Sequence, residues 1–380
     1  MSPAIEYSLV TETHDLHALE NEWNSLYAKS GSSNIYLSWD WLTSWWEVYG
    51  KQRKLMVLLA RDQNELIGVV PLLLRNFKYF GTISVRRIEF LSTGELVSET
   101  VCPAFMSMLL NSGNPRALVD GFVEFLLNEL GSEWDEVFLS PMLSCDSVTD
   151  LVREKSKSIV GYKIETEVVG INAYTELSED FETLLSSMGS KTRKKLRAGE
   201  RSVEQDPNIK YSFLPRGGNF DWYFDEFVKL HNHRWEQAGP FSNHRYLIFQ
   251  KNVCKKLHAS ENLMLSLLEI DGRIIAGNLD YCSNGIVYGY LTAFDPDYKS
   301  KMSWGFISMG LCLKHCVNKA FKIYDWYRIR ESFTYKRHFS IIQRDVISVR
   351  LYKKGARSYC IDSLRFTVNI LRKIKRRLIK

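Results

Sequence analysis

The chain has 380 residues, of which 45% are hydrophobic, enough to fill two domain cores or one large one and to exclude a largely disordered protein. A formal charge of +6 over that length is too small to indicate nucleic-acid binding by itself. No apolar run reaches the roughly eighteen residues of a spanning helix and no basic-then-apolar leader opens the chain, so a soluble, cytoplasmic protein is expected.

The seven cysteines are scattered, with no CxxC pair and no Cys/His spacing suited to zinc. They read as reduced thiols, and no metal is expected. Cys312 and Cys316, one helical turn apart, read as buried packing.

In chain order, Ile5 to Val10 is a strand candidate. Leu16 to Ala28 carries Leu19, Trp23 and Leu26 at helical spacing behind Thr13 as a cap. Ser38 to Tyr49, with Trp39, Trp41, Trp45 and Trp46, predicts a second helix that is either plain core or a groove wall. Lys54-LMVLLARDQNELIGVVPLLL is a hairpin turning at Asp62 to Glu65. Short strands at Arg87 to Leu91 and Ala104 to Leu110, a helix over Pro115 to Leu130 and a strand at Trp134 to Ser140 follow. Ser190-KTRKKLRAGER is a strongly basic helix, either a solvated face or a wall for an anionic ligand or polymer. Asp221 to Gln237 predicts a helix that closes on Leu230-HNHRW, with His231 and Trp235 on one face and His233 pointing elsewhere.

The most informative stretch is Leu263 to Lys319. Asp271-Gly272 joins two apolar runs as a tight hairpin turn, and Gly285 to Phe294 supplies a third strand. A loop with two lysines and two serines then leads into an amphipathic helix starting near Trp304-Gly305. A strand, a short cationic loop and a helix N-terminus form a physical site for phosphate, because helix dipole and unpaired amides meet there.

Leu55-MVLLARDQNELIG and Leu263-MLSLLEIDGRIIAG are alike, and each follows two helical segments of which the first holds a Trp, Trp23 or Trp235. The order helix, helix, hairpin occurs twice, which points to an internal duplication. Where the second copy has its lysine loop, the first has Ser92-TGELVSETVCP, acidic and without Lys or Arg, so the second copy alone looks equipped for phosphate. Phe321-KIYDWYRI is then a buried strand ending in Arg330-ESFTYKRHF, a place where open α/β sheets hold ligands. Asp345 to Tyr352 is the closing strand. Ile361 to Lys380 is an amphipathic helix with an almost wholly basic face, suited to an anionic membrane surface or an acidic partner, or simply a solvated terminus.

In order along the chain, the Trp-rich helix, Ile67-GVVPLLL, Ser190-KTRKKLR, Leu230-HNHRW, Ala276-GNLDY, Phe294-DPDY and Tyr335-KRHF resemble the GNAT acyltransferase superfamily. The closer likeness is to the CelD-type branch, associated with cellulose and exopolysaccharide synthesis, and the more remote one to the Fem-type aminoacyltransferases. The resemblance implies an α/β (α+β) fold of two side-by-side GNAT-like units, each a mixed, largely antiparallel sheet flanked by helices. The units would be a degenerate one over 1–170 and a catalytic one over 171–355, followed by the basic helix at 356–380. The usual GNAT phosphate loop is Arg/Gln-x-x-Gly-x-Gly/Ala, whereas here Lys299-SKMSWG keeps only Gly305 and places Met302 at a glycine position.

The resemblance further implies acyl-CoA, most simply acetyl-CoA, as donor, held by Leu291, Thr292, Ala293, Phe294, Lys299, Ser300, Lys301, Ser303 and Gly305. Transfer to an amine or hydroxyl of a sugar or envelope precursor needs a base and an acid. Glu331 is the first candidate base and His231 the second, Tyr335 is the candidate acid, and Arg234, Trp235, Arg330 and Lys336 are substrate contacts. Alternatives are a Fem-type enzyme taking its donor from tRNA, and a non-catalytic accessory of a polysaccharide-synthesis complex with peripheral contact at the inner membrane face.

Overall fold

A computed structural model describes residues 5–111, 113–235, 238–329, 334–339, 341–365 and 367. The first half runs β1 (Glu6–Val10), α1 (Thr13–Ala18), α2 (Glu20–Lys29), α3 (Trp39–Tyr49), β2 (Lys54–Asp62), β3 (Glu65–Tyr79), β4 (Ile83–Phe90), β5 (Leu109–Leu110), α4 (Pro115–Asn128), β6 (Glu136–Leu143), α5 (Ser147–Lys157) and β7 (Tyr162–Glu176). Helices α6 (Phe181–Ser186) and α7 (Ser190–Gln205) connect it to the second half. That half runs β8 (Ile209–Phe213), α8 (Phe220–Arg234), α9 (His244–Ala259), β9 (Leu263–Ile270), β10 (Arg273–Ser283), β11 (Ile286–Phe294), α10 (Trp304–Asn318), β12 (Ile323–Ile329) and β13 (Ile342–Lys353).

The strands form one mixed sheet in the order β1-β2-β3-β4-β6-β13-β7-β12-β11-β10-β9-β8, with β5 paired to β3. Exchanging each strand of the first half for its counterpart in the second reproduces this order backwards, so the duplication read from the hairpins extends to the whole sheet. The halves also trade their last strands: β13 lies between β6 and β7, and β7 lies between β13 and β12. Two units of like topology, side by side in an α/β fold, are therefore what the structure contains. The boundary expected at 170/171 falls inside β7, whereas the connection between the halves runs through α6 and α7.

Both hairpins turn as their residues dictate. Gln63 and Asn64 have φ 47° and 70°, and Asp271 and Gly272 have φ 52° and 78°, the pair of positive values a two-residue turn with matching twist needs. Helix α3 is core: Trp41 and Trp45 are fully buried, and Trp41 stands edge-on to Phe249 and Tyr281 of the second unit with centroids 5.1 and 5.6 Å apart.

Several expected elements differ. The Leu16 to Ala28 segment is two helices broken at Leu19. Of the strand expected over Ala104 to Leu110 only Leu109–Leu110 pairs, because the chain before it crosses between strands, where Met106 N–H donates to the Pro141 carbonyl at 2.6 Å. Strands β7 and β8 and helix α5 were not anticipated; β7 is polar and half exposed and carries little alternation to read. Among the described residues no helix is long and apolar enough to cross a membrane. Within the expected basic C-terminal helix, Ile361 is buried and Arg365 pairs with Glu165 and Glu167 at 2.7 and 2.9 Å; its other basic residues lie outside the described residues.

Candidate active site

β11 and β12 are parallel neighbours that pair only from Ile286 to Tyr288 against Ile323 to Asp325. Beyond that, β11 stays with β10 as far as Phe294, while β12 follows β7. A bulge at Leu279/Asp280 and an irregularity after Asp325, where Tyr327 takes φ 66°, turn the two strands apart. Gly289 lies at the point of divergence, and a Cβ there would come within 2.7 Å of the Tyr324 hydroxyl.

The splay is a cleft. Its outer part, about 830 Å³, is lined by Thr292 and Phe294, by Ser303 to Phe306 of the first turn of α10, and by Met302, Arg234, Trp235 and Tyr335. Its inner part, about 380 Å³, continues past Gly289 to Thr292 on one side and Tyr324 to Arg328 on the other, to His231 and Lys336. Arg234, Trp235, Thr292, Met309 and Tyr335 line both parts, so the two are continuous. Thr100, Val101 and Cys102 of the first unit close the far wall. Tyr290 holds this wall by donating to the Val101 carbonyl at 2.7 Å, while Gln250 donates to the Tyr290 hydroxyl at 2.9 Å. The segment read as unsuited to phosphate is thus a wall of the other unit's cleft, a role that nothing in its own sequence signals.

Each titratable group is tuned by enclosure. His231 is 2% exposed and packed among Phe227, Trp235 and Phe241; burial, with Arg234 adding to it, pushes its pKa down to about 4, so the ring is neutral at pH 7. Its Nδ1 is buried without a hydrogen-bond partner among the described residues. Lys336 donates to the Trp326 carbonyl, and burial brings its ammonium down to about 8 against the opposing pull of Asp325. Burial raises the Tyr335 phenol, tempered by the Arg234 guanidinium, and keeps it protonated. Arg234 donates to the Thr292 carbonyl at 2.6 Å and lies 4.2 Å from the Phe294 ring centroid, bracing the β11 edge.

Of the residues named from the sequence, the cleft brings together His231, Arg234, Trp235, Leu291, Thr292, Phe294, Ser303, Gly305, Tyr335 and Lys336. Ala293 does not line it and is fully buried. Lys299, Ser300 and Lys301 stand on the exposed loop before α10, outside the lining. Glu331 and Arg330 lie outside the described residues. Tyr290, Tyr327 and Arg328 were missed, since they carry no spacing signal within a strand already read as core. For a metal, the described residues offer one grouping at the cleft rim, His233, Asp295 and Asp297, with ligand atoms within 4.8 Å of one another. Arg273 already pairs with Asp295 there, and His233 Nε2 lies 3.4 Å from Asp295 and 3.0 Å from Asp297, so the cluster links α8 to the end of β11.

Residues 190–337 match the family model of the acetyltransferase (GNAT) domain. Compared with curated protein sequences, the chain has no match. Among solved structures, FemX is similar in fold, with a TM-score of 0.62 at 12% identity over 94% of this chain and 99% of that one. L-PGS from Bacillus licheniformis gives 0.52 at 12% identity over 93% and 96% of the two chains. The C-terminal domain of a protein assigned as a lysylphosphatidylglycerol synthetase from Agrobacterium fabrum gives 0.52 at 9% identity over 92% and 95%. The open cleft between the parallel strands lies within the segment that matches the GNAT domain. Residues 190–337 therefore match a GNAT acetyltransferase domain, and the chain as a whole is similar in fold to FemX.

Proposed function

We propose that the protein is an acyltransferase that moves an acyl group, most simply acetyl from acetyl-CoA, to an amine or hydroxyl of a sugar or cell-envelope or exopolysaccharide precursor. The second unit, 171–355, is the catalytic one and the first, 1–170, a degenerate partner. The observation that carries this reading is the open splay between β11 and β12, continuous with an inter-unit pocket that holds neutral His231, Tyr335 and Lys336. The donor would lie along Gly289 to Phe294 with its phosphates toward the first turn of α10, and the acceptor would enter the inner pocket.

In this scheme the acceptor nitrogen or oxygen attacks the thioester carbonyl carbon and gives its proton to a neutral amine or imidazole. The C–S bond then breaks, and the departing thiolate takes a proton from the Tyr335 hydroxyl. Glu331, the first base expected from the sequence, lies outside the described residues; of the two basic groups in the inner pocket, Lys336 near 8, expected as a substrate contact, is closer to working pH than His231 near 4 and is the stronger choice. The test is thiol release from acetyl-CoA with a panel of amino and hydroxyl sugars. The rate is expected to rise with pH around 8 in the unaltered protein and to lose that inflection, with about a hundredfold lower turnover, in Lys336→Met. An unchanged profile would remove Lys336 as base.

A second reading has a specific observation behind it. The likeness to FemX, with bulky Met302 in the phosphate loop, fits a Fem-type donor carried on tRNA. RNA affinity falling steeply with salt, without measurable binding of acetyl-CoA, would favour it.

A further inference from the structure

We infer that Lys195, on a helix outside the cleft, is a donor-specificity residue whose ammonium binds the donor's diphosphate in place of the missing glycine of the phosphate loop. This rests on the acyl-CoA reading above. Helix α7 lies against α10 with almost no clearance: a Cβ at Gly199 would come within 2.4 Å of Ile307, and one at Gly310 within 2.3 Å of Leu196. These two glycine contacts fix the register of the helices. One turn before Gly199 is Lys195, and one turn before Ile307 is Ser303.

The basic segment then divides by partner. Arg193 donates to the Met188 carbonyl at 2.6 Å, and Arg197 pairs with Glu182 at 2.5 Å, so both tie α7 to α6 and the loop after it. Lys195, itself outside the cleft lining, instead contacts two residues that form it. Its Nζ donates to Ser303 Oγ at 2.8 Å and lies 4.9 Å from the Phe306 ring centroid, and Ser303 and Phe306 both line the outer cleft. Ser303 is the N-cap of α10, yet its side chain makes no cap bond within the helix. An ammonium has three donors, and the contact with Ser303 uses one. A lysine binds phosphate as a point charge and does not need the close backbone approach that a loop glycine permits, which is the approach Met302 obstructs.

The experiment is calorimetric binding of coenzyme A, dephospho-coenzyme A and pantetheine to the full chain, unaltered and as Lys195→Met and Lys195→Arg. The expected result is about a tenfold weaker Kd for both coenzymes in Lys195→Met, no change for pantetheine, and recovery in Lys195→Arg. Equal weakening of all three ligands would make Lys195 a packing residue and overturn the inference, as would no change in any. Weakening for coenzyme A alone would move the contact to the 3′-phosphate and overturn the diphosphate assignment. If the unaltered protein binds none of the three, the acyl-CoA reading itself fails, and this inference with it.

Discussion

The two units share a strand plan and differ in what fills the space beyond their parallel pair. In the second unit β11 and β12 part after three residue pairs, and the gap is the cleft. In the first unit β4 and β6 likewise pair over three residues, Arg87 to Glu89 against Glu136 to Phe138. There the chain plugs its own gap: past the end of β4, Leu109 and Leu110 pair with Val69 and Gly68 of β3, and Met106 bonds to Pro141 of β6. Residues 103 to 110 are all buried. The same architecture therefore gives an open cleft or a solid core depending on one inserted segment, and the plugged unit lends its adjoining loop, Thr100 to Cys102, as a wall to the open one.

The buried charge differs in the same sense. Glu136 of the first unit accepts from Arg87, from Arg350 at 2.9 Å and from the Tyr79 hydroxyl at 2.9 Å, a paired network at the junction of β4, β6 and β13. Asp280 of the second unit is as deeply buried but accepts from the Cys312 thiol at 3.1 Å and the Tyr324 hydroxyl at 3.2 Å, with no cation among its interacting groups. Burial accordingly raises its pKa to about 7.

The largest effect is expected at the plugged unit's network. Glu136→Ala leaves Arg87 and Arg350 buried with less compensation and should cost about 3–5 kcal/mol in denaturant unfolding. A loss below about 1 kcal/mol would show that the network is incidental. At Asp280 the expectation has the opposite sign. The folded pKa lies above the unfolded one, so the folded state holds the extra proton, and stability should fall as pH rises from about 4 to about 7. Asp280→Asn should flatten that slope and be more stable than the unaltered chain at pH 8 by about 1–2 kcal/mol. Parallel stability curves for the two proteins would refute the assignment.

Filling the open cleft should turn the second unit toward the first. A Cβ at Gly305 would already come within 3.0 Å of Phe294, so Gly305→Leu is expected to weaken coenzyme A binding about tenfold with circular dichroism unchanged. The smallest effect belongs to the exposed loop. Because Lys299 and Lys301 are solvent-exposed, and Lys299 already donates to the Pro296 carbonyl at 3.1 Å, changing both to Ala should weaken coenzyme A only about two- to threefold at low salt, and less in 0.5 M salt. A tenfold loss would return the phosphate site to the loop as the sequence expectation had it.

Much of this was legible in the chain. Asp271-Gly272 and the turn after Asp62 announce their hairpins through residues that tolerate positive φ, the apolar repeat from Phe306 to Cys316 announces α10, and the duplication shows in the order of helices and hairpins. His231, Arg234, Trp235, Tyr335 and Lys336 were named from short segments that proved to lie at one cleft. Elements joined across the chain were not legible. β7 is polar on much of its length and its neighbours are the other unit's β12 and β13, and no local alternation reports pairing across more than 140 residues. Lys195 was one cation in a basic run until its helix was set against α10.

By itself the sequence determined the local elements, their duplicated order and the chemistry available at each turn, because propensity, periodicity and turn residues act over a few positions. Only the tertiary structure decided which gap is open and which is plugged, that a loop of one unit walls the cleft of the other, and which cation of a basic helix contacts Ser303 at the cleft. Those outcomes rest on strand exchange and on two glycine contacts between helices, which bring together residues separated by a hundred positions or more.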